Sequence, residues 1–192
     1  MRNLDFLVIG APQSGTTSLW RGFEAHPQIR VPSDKERGFF NSDKRFERGL
    51  EPYLSWTFGD AGEKEALGTV TPQLMMGDSD ELDRLVDRIA KTCPDIRLIA
   101  ILRNPIDRSV SNFRRSRRIR DWPDENFDAA TRRLAGENGG LENVPFIRDS
   151  EYGRILNRYL AVFDREQIQI LYLGPRHASR AGISRGVRVP QT

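Results

Sequence analysis

Residues 4–20 read LDFLVIGAPQSGTTSLW, in which an apolar run leads into a turn bracketed by glycines and then into a hydroxyl-rich segment. The run Leu4 to Ile9 predicts a buried parallel strand, and Thr16 to Ala25 predicts the helix that follows it. The glycines let the backbone bend around an oxyanion, and the amides of residues 14–18 lack partners within the helix. Because the helix dipole lies behind these amides, the stretch predicts a phosphate- or sulfate-binding loop.

The spacing of this loop is that of the P-loop, G-x-x-x-x-G-K-[ST], with Gly10 and Gly15 as the two glycines. Thr16 stands where the lysine of nucleoside-triphosphate enzymes belongs, and Thr17 keeps the hydroxyl position. A P-loop kinase or NTPase that uses ATP and magnesium is therefore one alternative, and the missing lysine argues against it.

Composition indicates one domain. A chain of 192 residues with 38% hydrophobic residues is long enough for one core and too short for two comfortable domains. We expect a single domain over residues 1–173 and an irregular basic tail over residues 174–192. The 30 basic and 27 acidic residues leave a net charge of +3, which is too weak to imply a nucleic-acid partner.

Cysteine usage and hydropathy predict a cytoplasmic protein without a membrane partner. The single cysteine, Cys93, excludes an internal disulfide framework and thiolate zinc clusters, and it fits a reducing compartment as a small buried hydrophobe. No segment reaches the roughly 18 apolar residues of a membrane span, and the N-terminal residues lack the basic-then-apolar layout of a secretion signal.

Strands and helices alternate along the chain. After the first strand, further strands are predicted at Ile29–Val31, Ala66–Val70, Ile96–Leu102 and Ile168–Leu173. Helices are predicted within 42–65, from an N-cap at Ser79 to Pro94, after Pro105, over 126–136 and over 148–165, with a glycine-bearing loop at 137–145. This alternation predicts an α/β three-layer sandwich with a parallel central sheet, whose ligand lies beyond the carboxyl ends of the strands.

A second polar turn follows the strand at 96–102. Residues 103–111 read RNPIDRSVS, so the strand ends in a guanidinium where an NTPase usually offers a metal-holding acid. Arg103 can grip a phosphate with its planar fork, and Ser111, about two helical turns on, can donate a hydroxyl to the same group. Two anion sites on neighbouring turns fit a ligand with two anionic ends and no metal better than they fit ATP.

Together, the loop at residues 10–19, Arg103-Asn104-Pro105 and Ser111 resemble the sulfotransferases that use 3′-phosphoadenosine 5′-phosphosulfate (PAPS), and the resemblance extends over roughly residues 4–173. It implies that the first loop cradles the 5′-phosphosulfate and that Arg103 and Ser111 hold the 3′-phosphate. The loop residues that it assigns to PAPS, or to the product adenosine 3′,5′-bisphosphate, are Gln13, Ser14, Gly15, Thr16, Thr17 and Ser18. No metal is implied.

Residues 32–40, PSDKERGFF, look like the Lys-Glu-x-x-Phe-Phe segment of the carbohydrate-type and bacterial branches, in which the glutamate is the catalytic base. The resemblance therefore implies that Glu36 takes the proton of an acceptor hydroxyl as that hydroxyl attacks sulfur in line. The acceptor implied is a small molecule or a glycan. The other interpretation of Glu36 is a solvated loop acid paired with Lys35 or Arg37.

Three departures from the family pattern bear on catalysis. Gln13 stands where relatives usually carry a lysine or arginine, so it can donate a hydrogen bond but brings no charge. Thr69 replaces the acid of a Gly-Glu-x-[Ser/Thr]-Pro stretch. After Leu173, relatives typically continue with an acidic turn, a helix and a basic loop, whereas the residues from Gly174 onward have no helical periodicity; we expect a truncated or altered C-terminal part.

A run of arginines follows the second motif. A solvated helix face is the favoured interpretation, and attraction of nucleic acid or of an anionic acceptor is the other. The arginines concerned are Arg114, Arg115, Arg117, Arg118 and Arg120. Together with Gln13 and the altered C-terminus, they keep a non-catalytic nucleotide- or RNA-binding protein as the second alternative.

Overall fold

The protein forms one parallel sheet that is covered by helices on both faces. The structure is a computed structural model that describes residues 2–59, 61–62, 65–119 and 123–174. Its strands are β1 (Phe6–Gly10), β2 (Ile29–Arg30), β3 (Ala66–Val70), β4 (Arg97–Arg103) and β5 (Ile168–Leu173). They form one sheet in the order β2-β3-β1-β4-β5, and every neighbouring pair is parallel. The predicted α/β fold with a parallel central sheet is confirmed.

Helices connect the strands. They are α1 (Thr16–Glu24), α2 (Asp43–Glu47), α3 (Leu50–Phe58), α4 (Ser79–Thr92), α5 (Pro105–Ile119), α6 (Phe127–Asn138), α7 (Pro145–Arg148) and α8 (Tyr152–Leu160). Single 3₁₀ turns span Pro72–Met75, Leu141–Asn143 and Arg165–Gln167. The two short helices expected within residues 42–65 are α2 and α3.

β1 is the middle strand, and all of its residues are buried. Leu7 and Ile9 face a core that includes apolar residues of α3, α4 and α8, whereas Phe6 and Val8 face a second core against α1. Successive side chains of a strand point to opposite faces, so a strand covered on both sides reads as a continuous apolar run. This is why the stretch at residues 4–9 marks the centre of the fold.

The observed bounds of α4 and α8 differ from the predicted ones. The N-cap of α4 is Asp78 rather than Ser79: the Asp78 carboxylate accepts a hydrogen bond from the Glu81 amide at 2.9 Å, next to the positive end of the helix dipole. α8 is shorter than the predicted helix over 148–165. Its apolar periodicity continues to the buried Phe163, but that residue lies beyond the end of the helix.

The predicted loop over 137–145 instead contains the end of α6, a 3₁₀ turn and the start of α7, because Gly139 and Gly140 both have positive φ and end α6 there. Cys93 is buried at the C-cap of α4, as expected for a small hydrophobe. Within the described ranges, no helix combines the length and the apolar character that crossing a bilayer requires.

The close approach of β3 to β1 provides a test of packing. A Cβ added at Gly68 would lie 2.1 Å from Cζ of Phe6, whose ring is buried. We expect Gly68→Ala to lower the free energy of unfolding by about 1–3 kcal/mol, because the buried ring of Phe6 must shift within the core to make room for the methyl group. Urea denaturation measures the change.

The matched control is Gly136→Ala in α6, where an added Cβ meets nothing within 4 Å. Alanine should raise stability there by about 0.5–1 kcal/mol because it has the higher helix propensity. Equal effects of the two substitutions would contradict the packing argument.

Candidate active site

A polar cleft lies where β1, β3 and β4 end. Its volume is about 380 Å³. Among the residues that line it are seven that the sequence predicted for the site: Gln13, Gly15, Thr16, Thr17, Glu36, Arg103 and Ser111. The structure therefore brings together the loop after β1, the charged loop before Phe39 and the turn after β4.

The loop after β1 presents free backbone amides. Gly15 is the N-cap of α1 with φ 90, and no side chain caps the helix. Among the described residues, none accepts a hydrogen bond from the amides of Gly15, Thr16 and Thr17. Unpaired amides at a helix N-terminus are a favourable environment for an oxyanion.

The expectation of free amides is wrong at the two ends of the predicted run. The Ser14 amide donates to the Ala11 carbonyl at 3.2 Å, and the Ser18 amide donates to the Gly15 carbonyl at 3.0 Å, because the loop closes as a tight turn on each side. Ser14 is fully buried, Ser18 is exposed on α1, and neither lines the cleft.

Gln13 links the loop to the second motif. Nη1 of Arg103 donates to the Gln13 carbonyl, and Oγ of Ser111 donates to Oε1 of Gln13, both at 3.4 Å. Bonds of this length are weak, and Arg103 also lies 3.9 Å from a carboxylate oxygen of Asp107. Arg103 and Ser111 therefore lie at the cleft with only weak contacts to Gln13.

Glu36 is held at both carboxylate oxygens. Nζ of Lys35 donates to Oε1 at 2.7 Å, and Nε2 of Gln73 donates to Oε2 at 2.5 Å. Partial burial raises the pKa of Glu36, but the hydrogen bonds from Lys35 and Gln73, with the charges of Lys35 and Arg115, outweigh it and hold that pKa below its ordinary value. Glu36 is thus ionised at neutral pH and able to accept a proton. The Lys35 pair of the alternative interpretation is present, but it lies inside the cleft.

Two candidate residues have a backbone conformation that is uncommon outside glycine. Gln13 has φ 65 and Glu36 has φ 70, and among the described residues they are the non-glycine positions with positive φ. Such conformations cost energy and persist where the surroundings impose them, often at functional sites. Both residues line the cleft, which adds an independent observation in favour of this site.

Sequence reasoning missed several cleft residues. Gln73 follows the Thr71-Pro72 pair in the 3₁₀ turn after β3, and Arg115 lies one helical turn after Ser111 on α5. The four-residue spacing was a usable signal, because positions i and i+4 share a helix face. The four described arginines of that run, Arg114, Arg115, Arg117 and Arg118, are all exposed, as predicted for a solvated face, although Arg115 also lines the cleft; Arg120 lies outside the described residues.

In the part of the chain that the structure describes, no group of three or more histidine, cysteine, aspartate or glutamate side chains is placed to hold a metal ion. The predicted tail is described only as far as Gly174, and its arginines at 176, 180, 185 and 188 lie outside the described residues.

Fold and cleft together define an α/β protein with a P-loop-like turn after β1 that lacks the NTPase lysine. The chain belongs to the sulfotransferase domain family, whose family model matches residues 3–159. A solved sulfotransferase from Alicyclobacillus acidocaldarius has the same fold: the TM-score is 0.72 at 23% identity, covering 90% of this chain and 74% of that one.

Curated relatives are longer proteins. The membrane-associated sulfotransferase kil1 of Dictyostelium discoideum is 32% identical over 111 residues, which cover 57% of this chain and 22% of that protein. Heparan sulfate glucosamine 3-O-sulfotransferase 5 of Mus musculus is 24% identical over 172 residues, which cover 86% of this chain and 46% of that protein. The chain thus spans less than half the length of these relatives.

The electrostatics of Glu36 can be tested by removing its lysine partner. We expect Lys35→Met to raise the pKa of Glu36, because the substitution removes both a hydrogen bond to the carboxylate and a nearby positive charge. A ¹³C-detected NMR titration of the carboxyl group measures the shift. Because the folded-state pKa is depressed, the stabilisation from ionised Glu36 is present above its unfolded pKa and is lost as the pH falls through the folded value.

Lys91→Met is the control, since Lys91 pairs with Asp87 at 2.7 Å on the surface of α4. It should leave the titration of Glu36 unchanged. A Glu36 pKa that does not move in Lys35→Met would refute the assignment of Lys35 as its electrostatic partner.

Proposed function

We propose that this chain transfers a sulfuryl group from PAPS to a hydroxyl or amine acceptor and releases adenosine 3′,5′-bisphosphate, with no metal taking part. The observation that carries the proposal is that one cleft brings together unbonded loop amides, the side chains of Arg103 and Ser111, and the carboxylate of Glu36. Membership of the sulfotransferase family supports the reaction type. The geometry of the cleft supports the choice of donor.

The two ends of the cleft suit the two charged ends of PAPS. The free amides of Gly15, Thr16 and Thr17 bind the 5′-phosphosulfate, with the dipole of α1 behind them. Arg103 and Ser111 give up their 3.4 Å contacts to Gln13 and bind the 3′-phosphate. The exchange is favourable because bonds from a guanidinium to phosphate are charge-assisted and stronger than those to a neutral amide.

Glu36 acts as the general base. Its carboxylate takes the proton from the acceptor hydroxyl, whose oxygen forms the new bond to sulfur. The bond between sulfur and the bridging oxygen breaks at the same time, and its electron pair leaves with the 5′-phosphate of the bisphosphate. The loop amides stabilise the charge that develops on this phosphate. Because Gln13 is uncharged, these amides carry more of that task than in relatives with a lysine or arginine there.

The acceptor is a small molecule or a glycan. Lys35, Gln73 and Arg115 line the cleft together with Glu36 and provide hydrogen-bond donors for it. One relative is named for sulfation of a glucosamine in heparan sulfate, which supports a glycan as the first acceptor class to test.

The test of catalysis is transfer of labelled sulfate from PAPS to an acceptor panel with magnesium chelated. Glu36→Gln should lower turnover by about 10²-fold or more, because the amide cannot take a proton, while the dissociation constant of the bisphosphate stays unchanged. Glu142→Gln, at an exposed glutamate, is the control and should retain activity. Full turnover by Glu36→Gln would reject Glu36 as the base.

Two further measurements separate the alternatives, namely ATP hydrolysis with magnesium present and binding of the bisphosphate by calorimetry. ATP hydrolysis that requires magnesium would favour a P-loop NTPase. Tight binding of the bisphosphate without transfer to any acceptor would favour a non-catalytic nucleotide-binding protein, the alternative that the neutral side chain of Gln13 makes plausible.

The 3′-phosphate site is tested by calorimetry. Arg103→Ala should weaken adenosine 3′,5′-bisphosphate by about 10- to 100-fold and adenosine 5′-phosphate little, because only the first ligand has a 3′-phosphate. Arg97→Ala, at the exposed other end of β4, is the matched control and should change neither affinity. Equal losses for both nucleotides in Arg103→Ala would remove Arg103 from the 3′ site.

A further inference from the structure

Arg108 lies between the two residues of the second motif but does not line the cleft. Its side chain is fully buried. Nε donates to the Pro12 carbonyl at 3.1 Å, and Nη1 donates to the Phe146 carbonyl at 3.2 Å and to Oγ of Ser150 at 2.8 Å. A buried arginine thus connects α5 both to the anion-binding loop and to α7.

The carboxylate that faces Arg108 reaches the other wall of the cleft. Oδ2 of Asp149 lies 3.9 Å from Nη2 of Arg108, and Oδ1 accepts a hydrogen bond from the Gly77 amide at 3.2 Å. Gly77 closely follows the 3₁₀ turn that carries Gln73, the residue bonded to Glu36. Burial raises the pKa of Asp149, whereas the hydrogen bond from Gly77 and the charge of Arg108 lower it in part.

The bond to Pro12 acts on the most constrained part of the loop. The Pro12 carbonyl belongs to the peptide plane that precedes Gln13, and Gln13 holds a left-handed φ of 65. Fixing that plane helps to maintain a conformation that a non-glycine residue seldom adopts. The free amides of Gly15, Thr16 and Thr17 follow this peptide plane within a few residues.

We propose that the buried Arg108–Asp149 pair positions the two walls of the cleft: Arg108 fixes the anion-binding loop through Pro12, and Asp149 fixes the wall that carries Gln73 through Gly77. Arg108 is a positioning residue, because it acts through the loop and does not touch the ligand. The inference rests on the proposed function in one respect, namely that the loop binds the 5′ end of a nucleotide.

Stability alone is a poor explanation for this pair. Desolvation of two buried charges offsets most of their attraction, so apolar replacements of similar size are often neutral. The pair instead fixes the positions of the groups around it. The guanidinium of Arg108 has its donors in a rigid plane, and two of its nitrogens donate to three oxygens. The experiment must therefore separate loop position from global stability.

The test uses the double variant Arg108→Met/Asp149→Asn, which removes both buried charges and leaves an oxygen to accept from the Gly77 amide. Calorimetry compares adenosine 3′,5′-bisphosphate, adenosine 5′-phosphate and adenosine 3′-phosphate. The two ligands with a 5′-phosphate should lose about tenfold in affinity, as expected for a misplaced amide cradle. Adenosine 3′-phosphate, which needs only Arg103 and Ser111, should bind as to the unmodified protein.

Two further variants keep the outcome interpretable. Arg108→Lys retains the charge beside Asp149 but lacks the Nε donor to Pro12, so it should show the same selective loss. It takes the place of the double variant if that variant does not fold. Ser150→Ala removes a partner of Nη1 and leaves the Pro12 bond, so it should lower the melting temperature without a selective loss.

An equal loss for all three nucleotides, or no loss, would overturn the positioning role and leave the proposed function standing. If the unmodified protein bound none of the 5′-phosphate nucleotides, the proposed function would fall together with this inference.

Discussion

Parallel pairing of β1 with β4 is the constraint on which the cleft depends. The register places Val8 opposite Ile99 and Gly10 opposite Ala100, and the Ala11 amide extends the ladder by donating to the Ile101 carbonyl at 2.8 Å. Because parallel strands end at the same edge of the sheet, the loop after β1 and Arg103 at the end of β4 must meet. Two polar turns that are far apart in the chain thereby line one cleft.

Most of the fold could be predicted because burial on both faces leaves a local mark. The strand at Ala66–Val70 has the predicted bounds, and the apolar runs of the other long strands were recognised within a residue or two. The turn after β1 was predictable for a related reason: the glycines, the free backbone amides and the start of the helix all fall within one short stretch. Arg103 and Ser111 follow a second strand in the same way.

Other features depend on contacts between distant segments, which no local pattern encodes. Gln73 bonds to Glu36 across 37 residues of sequence, and Arg108 bonds to Ser150 across 42. The N-cap of α4 was predicted one residue late for a different reason. Asp and Ser both cap helices, so propensity does not distinguish Asp78 from its neighbour Ser79. The end of α8 was predicted too late because Phe163 continues the apolar spacing and is buried in the core, although it lies beyond the helix.

The order of the strands has a consequence for how the protein is made. During synthesis the loop at residues 10–18 emerges first, but β4 follows only at Arg97 and Asp149 later still. Pairing over such separations is slow, because the chain loses the entropy of closing long loops before the stabilising contacts form. The cradle is therefore completed late. If the proposed function holds, a nucleotide that binds only the finished cleft stabilises the folded domain by mass action, which links the ligand concentration to the yield of folded protein.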